Sequence, residues 1–246
     1  MKIVVCVKEV GLLGDEVEFE GNRVDPDFLD RALNEWDAYA IEAALQLREA
    51  VGGEVVAVTV GDEDTEGVLR RALAMGADRA ARIEGELDFD ALAPARALAP
   101  VVAEEAPDLV ICGAQSSDAA NAATPAALAA LLDAPCVAVV RSLTVAGGHL
   151  VAHRELEGGV VDVVEVDLPA VISVQTGANT PRYAALRAIR QAEEIDIPTH
   201  ALAEHDPPTR VIALRLPGHA GTTILLEGDS AEIARQIAAL VKERVG

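Results

Sequence analysis

The chain has 246 residues, 51 % of them hydrophobic but only 2 % aromatic, and a formal net charge of −21. A negative field of that size repels nucleic acid and anionic membrane surfaces, and three of the 20 basic residues are lysines, Lys2, Lys8 and Lys242. Asp133 interrupts the longest uncharged apolar run before it reaches the roughly 18 residues of a membrane span, so no insertion into a bilayer is expected.

A chain of this length can build one large α/β domain, alone or with an extension. A core made of Ala, Val, Leu and Ile favours parallel sheet with covering helices. The acidity itself reads as adaptation to high salt or a GC-rich genome rather than as a specific acidic function. The first residues, MKIVVCVKEV, are strand-like and show neither an apolar h-region nor a small-residue cleavage site, which predicts a cytoplasmic protein. Cys6, Cys112 and Cys136 lie in apolar runs without CxxC spacing and read as small core residues rather than metal ligands or disulfide partners.

In chain order, KIVVCV reads as a strand and Glu35 to Ala50 as a helix, with Ala38, Ile41, Ala44 and Leu45 on one face and Glu42 and Arg48 pointing away. EVVAVTV, a helix from Thr65 to Met75, RAARIE, a helix from Asp90 to Glu105, DLVICG, a helix after Asn121 and CVAVV follow. Repeated strand, helix, strand means right-handed crossovers and a parallel sheet. Ser142 to Val166 reads as two antiparallel strands around Gly147 and Gly148. Beyond Pro198, the prolines Pro207, Pro208 and Pro217 predict an arm, closed by a terminal helix with Asp229 or Ser230 as its N-cap. An arm with apolar patches and no core of its own is expected to pack on a partner chain. The division is therefore 1–195, an α/β domain, and 196–246, arm and helix.

The common catalytic devices are absent: no GxxxxGK[ST], no GxGxxG, no SGGxDS loop and no GxSxG. The five histidines, His149, His153, His200, His205 and His219, fall in hairpin and arm and read as solvated surface. What remains is geometry. Ligands of open parallel sheets sit beyond the carboxyl ends of the strands, near the reversal of strand order. The loops after Val7, Val60 and Cys112 qualify, and the last offers Ser116, Ser117, Asp118, Asn121 and Thr124 beside a helix start that attracts an anion such as phosphate. An ordinary capped helix, with Asn121 or Thr124 as N-cap and Pro125 first in the helix, accounts for the same residues equally well.

The stretch HRELEGGVVDVVEVDLPAVISVQTGANTPRYAALRAI resembles the signature region of the electron transfer flavoprotein β subunit, through Arg154, Glu157, Gly158, Gly159, Pro169, Ala170, Asn179, Pro181, Arg182 and Tyr183. VCVKEV, LNEWDAYAIEAALQL, RRALAMGADRA and LLEGDSAEIARQIAALV extend the likeness over nearly the whole chain. The resemblance implies a Rossmann-like α/β fold of the adenine nucleotide α-hydrolase-like kind. It also implies a non-enzymatic electron carrier, a heterodimer whose α subunit holds most of the FAD site while β binds AMP. Acyl-CoA or other dehydrogenases would be the donors and a quinone oxidoreductase or another acceptor the outlet.

Carried over by position, the resemblance puts Cys6, Asn34, Glu35, Trp36, Asp37 and Val60 at the nucleotide, and Ser116 to Ala127 at its phosphate, including Ser117, Asp118, Asn121, Ala122, Ala123, Thr124 and Pro125. Trp36 would also lie near the flavin of the α subunit, with Arg154 and Glu155 in its surroundings, unless it is simply a core anchor. Gly177, Ala178, Asn179, Pro181, Arg182 and Tyr183 belong to the docking loop. The departures are Glu35 for proline, Ala120 for a carboxylate, Ala123 for glutamine, Pro125 for glycine, Asp162 for Glu or Gln, and Ala178 for the leucine of mitochondrial-type members. A bifurcating relative with a second FAD in place of AMP is the alternative within the family. A stand-alone nucleotide-binding module of the stress-protein kind is the alternative outside it, and a hydrolase comes third.

Overall fold

A computed structural model describes the chain except for residues 15, 22, 88, 89, 204–208, 210, 216–223 and 246, which include His205, His219 and all three arm prolines. Two compact units are distinguished, Met1–Ala213 and Leu214–Gly246.

The first unit begins with β1 (Lys2–Cys6), then β2 (Glu9–Leu13), β3 (Phe19–Glu20), β4 (Arg23–Val24) and β5 (Leu29–Leu33), which lead into α1 (Glu35–Val51). Next come β6 (Glu54–Gly61), α2 (Glu66–Met75), β7 (Arg79–Glu84), α3 (Ala93–Glu105), β8 (Leu109–Gly113) and α4 (Thr124–Leu131). Three strands, β9 (Cys136–Ala146), β10 (His149–Glu155) and β11 (Val161–Val166), precede β12 (Ala170–Val174), α5 (Leu186–Glu193) and β13 (Thr199–Ala201). The second unit contains α6 (Ser230–Val245), whose first turn is capped by Asp229 Oδ1 accepting from the amides of Ala231 and Glu232. Of the two cap candidates, Asp229 is the one used.

Nine strands form one sheet in the order β11-β10-β9-β12-β8-β1-β6-β7-β13, parallel from β9 to β13 and antiparallel across β9, β10 and β11. This is the Rossmann-like architecture expected from the alternation of strand and helix. Valine and isoleucine in β1, β6, β8 and β12 are buried on both faces, as a sheet covered by helices requires. Helices α1, α2 and α5 cover one face, against Ile3, Val5, Val55 and Leu109, while α3 and α4 cover the other, against Val4, Val56, Val58 and Val110. The sheet runs outward from β1 through β6 and β7, then returns to place β8 on the opposite side of β1. The order therefore reverses between β1 and β8.

Several expectations need correction. The antiparallel addition has three strands, not two, because after β10 the chain turns back and pairs again as β11; CVAVV and the segment from Ser142 form one unbroken eleven-residue strand. Gly147 and Gly148, with φ of 61° and 92°, do make the turn between its first two members. The β2–β5 and β3–β4 ribbons between β1 and α1 were not expected at all. Cys136 is exposed because it opens β9 at the rim of the sheet, whereas Cys6 and Cys112 are buried as predicted. Glu42 does not point away: it is buried on α1, where Arg182 bonds its carboxylate. None of the helices among the described residues is long and apolar enough to cross a membrane.

At the edge of the sheet opposite the strand ends that face α1's first turn, Arg79 joins three elements. Its guanidinium donates to Glu54 Oε1 at 2.6 Å and to both oxygens of Glu105 at 3.0 and 2.8 Å, and Lys2 Nζ donates to Glu105 Oε2 at 3.1 Å. Arg79 outweighs the opposing effect of partial burial and, with Lys2, holds the Glu105 carboxyl down at about 2. A depressed folded value contributes stability above the unfolded carboxylate range that is lost as pH falls toward 2. The urea midpoint of the wild type should therefore drop between pH 5 and pH 3 by more than that of Arg79→Met; equal drops would show that this fork adds nothing.

Candidate functional site

Beyond the carboxyl ends of β1, β6 and β8, at the reversal of strand order, lies a cleft of about 780 Å³ including its open mouth. That is where open α/β sheets bind ligands. Its floor is built by one buried carboxylate. Asp37, in the first turn of α1, accepts from the Lys8 amide through Oδ2 at 2.7 Å and from the Gly113 amide through Oδ1 at 3.1 Å. One side chain thus joins the end of β1 to the end of β8. Burial drives its carboxyl up to about 7, against the hydrogen bonds from Lys8, Asn34 and Gly113. Gly113 has no alternative here, since a Cβ would run into Asp37 Oδ1 and lie 2.7 Å from Trp36 Cβ.

Asn34 precedes α1 but caps nothing with its side chain. Instead its Nδ2 donates to the Gln115 carbonyl at 2.9 Å and its Oδ1 accepts from the Ser117 amide at 3.3 Å. The helix start is thereby stitched to the loop between β8 and α4. Lys8 Nζ closes the same region, donating to Asp118 Oδ1 and Oδ2 at 2.6 and 2.8 Å and to Ser116 Oγ at 3.3 Å. Burial works against the Asp118 carboxylate, but Lys8 and Ser116 hold it below the usual range.

Of the nucleotide positions named from the sequence, Cys6, Asn34, Asp37, Val60, Ser116, Asn121, Ala122, Thr124 and Pro125 line the cleft. Glu35, Trp36, Ser117, Asp118 and Ala123 do not: Glu35 is exposed on the first turn, Ser117 serves Asn34 through its amide, and Asp118 faces Lys8. The loop after Val60 contributes only Val60 itself, because Asp62 folds it into a short 3-10 turn by accepting from Thr65. Its place is taken by Leu87, Ala91, Pro94 and Leu98, which sequence reasoning missed. Lys8 was missed too, although a rare lysine directly after the first strand was a legible signal. Neither Asn121 nor Thr124 caps α4: Ala123 holds the N-cap position without a side-chain bond, Thr124 is first in the helix and Pro125 second.

A second cluster surrounds the loop after β12. Trp36 Nε1 donates to Gln175 Oε1 at 2.8 Å, Asn179 Nδ2 to the Tyr39 carbonyl at 2.9 Å, and Arg182 engages Glu42 through Nε at 2.8 Å and Nη2 at 3.0 Å. Arg182 Nη1 also reaches Glu49 at 2.7 Å. This explains the burial of Glu42: despite desolvation, Arg182 and Gln46 keep its carboxyl below the ordinary range. The loop is therefore fastened to α1 at four positions, Trp36, Tyr39, Glu42 and Glu49. Gly177 is exposed, Ala178 and Pro181 are half-buried, and Tyr183 is 94 % exposed.

Trp36, half-buried, is connected to the hairpin through Gln175, whose amide donates to the Val140 carbonyl, and Val140 pairs in register with Arg154. Trp36 and Arg154 thus lie at one end of the sheet. Arg154 Nε is buried without a hydrogen-bond partner, while Glu155 accepts from Arg141 on the surface. Among the described residues no group of three or more His, Cys, Asp or Glu could hold a metal ion.

A Rossmann-like sheet with a cleft at its switch point and a loop bolted to its first helix defines an α/β class whose sheets take ligands at that point. Residues 27–205 match the electron transfer flavoprotein domain family. The chain is 39 % identical to electron transfer flavoprotein subunit beta of Methylophilus methylotrophus over the full length of both chains. It is 32 % identical to that of Syntrophomonas wolfei over 100 % of this chain and 97 % of the relative, and 33 % identical to that of Bacillus subtilis over 98 % of each. The chain belongs to the electron transfer flavoprotein family.

Two outcomes follow from the floor of the cleft. Gly113→Ala should cost about 1–3 kcal/mol in urea unfolding, as overpacking against Asp37 and Trp36 does, and a neutral result would refute the close approach. Because the folded carboxyl of Asp37 sits above its unfolded 3.8, at about 7, the folded state holds a proton that the unfolded chain releases. Stability from this group then falls as pH rises from about 4 to 7. In Asp37→Asn that slope should vanish from the difference between the two unfolding curves at pH 5 and pH 8.

Proposed function

We propose that this chain is the β subunit of a heterodimeric electron transfer flavoprotein, binds AMP in the cleft and completes the surroundings of an FAD held mainly by the α subunit. The observation that carries the reading is the two-sided character of the cleft. Val60, Leu87, Pro94 and Leu98 offer an apolar wall to a planar base, while Lys8, Asn34, Ser116, Asn121 and Thr124 offer donors and acceptors to sugar and phosphate. These residues fit a mononucleotide.

The flavin's role when bound is to accept electrons from a donor and pass them on; this chain contributes no proton-transfer group to that chemistry. Trp36, Arg154 and Glu155 would border it. Within the segment 196–246, Ile197 and β13 belong to the core and sheet; the remainder is read as the part that packs on the α subunit, in keeping with exposed Ile212, Ile224, Leu225, Ile237 and Val241. The loop from Thr176 to Tyr183 would meet the electron donor, an acyl-CoA or other dehydrogenase, with a quinone oxidoreductase or another acceptor downstream. Ala178, half-buried, replaces the expected leucine plug, so the donor contact falls to other positions of the loop.

Pro125 lacks the N–H that a phosphate at the start of α4 would use, and Ala122 and Ala123 bring no side-chain donor. These positions are compatible with a second FAD in place of AMP, as in bifurcating complexes, without choosing it. Co-expression with an α subunit and counting of released nucleotides separates the two: one FAD and one AMP per heterodimer is expected, two FAD would replace AMP, and failure to assemble any flavin-containing pair would overturn the proposal.

A further inference from the structure

We infer that Lys8 is the cation that holds the ligand's phosphate in this cleft and that Asp118 competes with the ligand for it, an inference that rests on the nucleotide reading above. Among the described residues lining the cleft, two are charged, Lys8 and Asp37. Asp37 is committed to the floor, one oxygen accepting from the Lys8 amide and the other from Gly113. A phosphate monoester carries between one and two negative charges near neutral pH. In a chain of net charge −21 it needs a local cation. Helix α4 is poorly equipped to replace one, since Pro125 offers no N–H and no side chain at 119, 120, 122 or 123 is a donor. Lys8 is therefore the charged donor available.

Its geometry suits the task. The backbone of Lys8 is fixed by Asp37, while its side chain stays 44 % exposed on a flexible stem that can turn its ammonium. The ammonium already stands on the loop leading to α4, bonded to Ser116 Oγ, which lines the cleft, and to Asp118, which does not. A phosphate arriving there must share or displace the Asp118 carboxylate, and that carboxylate repels it. Asp118 accordingly lowers affinity. This is the opposite sign from a residue that contacts the nucleotide directly.

The test is calorimetric titration of the full-length chain, alone and co-expressed with an α subunit and freed of nucleotide, with AMP and with adenosine. Loss of a charge-assisted hydrogen bond predicts that Lys8→Met weakens AMP at least about tenfold and changes adenosine less than about twofold, and that Lys8→Arg retains most of the AMP affinity. Asp118→Asn should tighten AMP and leave adenosine unchanged. Retained adenosine binding shows that each variant is folded. Unaltered AMP binding in Lys8→Met, weakened AMP binding in Asp118→Asn, or a wild type that takes adenosine but not AMP overturns this inference alone. A wild type that binds neither compound overturns the nucleotide reading with it.

Discussion

The site hangs on one carboxylate. Parallel strands β1 and β8 end side by side, and at their ends the amides of Lys8, just past β1, and of Gly113, the last residue of β8, bond to a side chain instead of to each other's strand. Asp37 accepts from both. Buried amides without partners cost free energy comparable to a lost hydrogen bond, so the carboxylate is what lets the two strand ends stay apart, open a cleft between them and remain satisfied. Its own desolvation is the counterpart cost, visible in a carboxyl pushed up to about 7. Gly113 follows as a steric corollary, and the seating of α1 follows from both.

Much of this was legible in the sequence, and what was not has identifiable causes. Alternation of valine-rich runs with alanine-rich helices gave the parallel sheet, because strands buried on both faces leave a continuous apolar record. The third hairpin strand escaped because VDVVEV carries weak alternation: Val161 and Val163 are exposed although apolar. Glu42 was assigned to solvent by helical periodicity, a rule that sees apolarity but not an arginine returning from 140 residues later. The cleft was placed correctly at the strand ends, yet its apolar wall came from Leu87 to Leu98, a segment with no motif of its own.

The helix following β8 shows how two adequate local explanations can both miss. Asn121 and Thr124 are good capping residues, but the chain takes φ of 50° at Ala120 and Ala122 and enters α4 through Ala123 without a side-chain cap. Non-glycine residues in the left-handed region are uncommon. Ser116, Asn121 and Thr124 line the cleft and Asp118 bonds Lys8, so none of them is spent on a side-chain cap of the helix. Local propensity lost to tertiary geometry.

Helix α1, 17 residues and about 25 Å long by its rise per residue, carries the cleft on its first turn and the anchorage of the β12–α5 loop from Trp36 through Tyr39 and Glu42 to Glu49. Arg182, the most strongly bonded residue of that loop, faces inward, and the side chains facing outward make no fastening bond. Support and outward display are therefore carried by different residues. An exchange at the outward-facing Tyr183 alters the surface offered to other molecules while the beam beneath it, and the cleft at the far end of the same beam, keep their form.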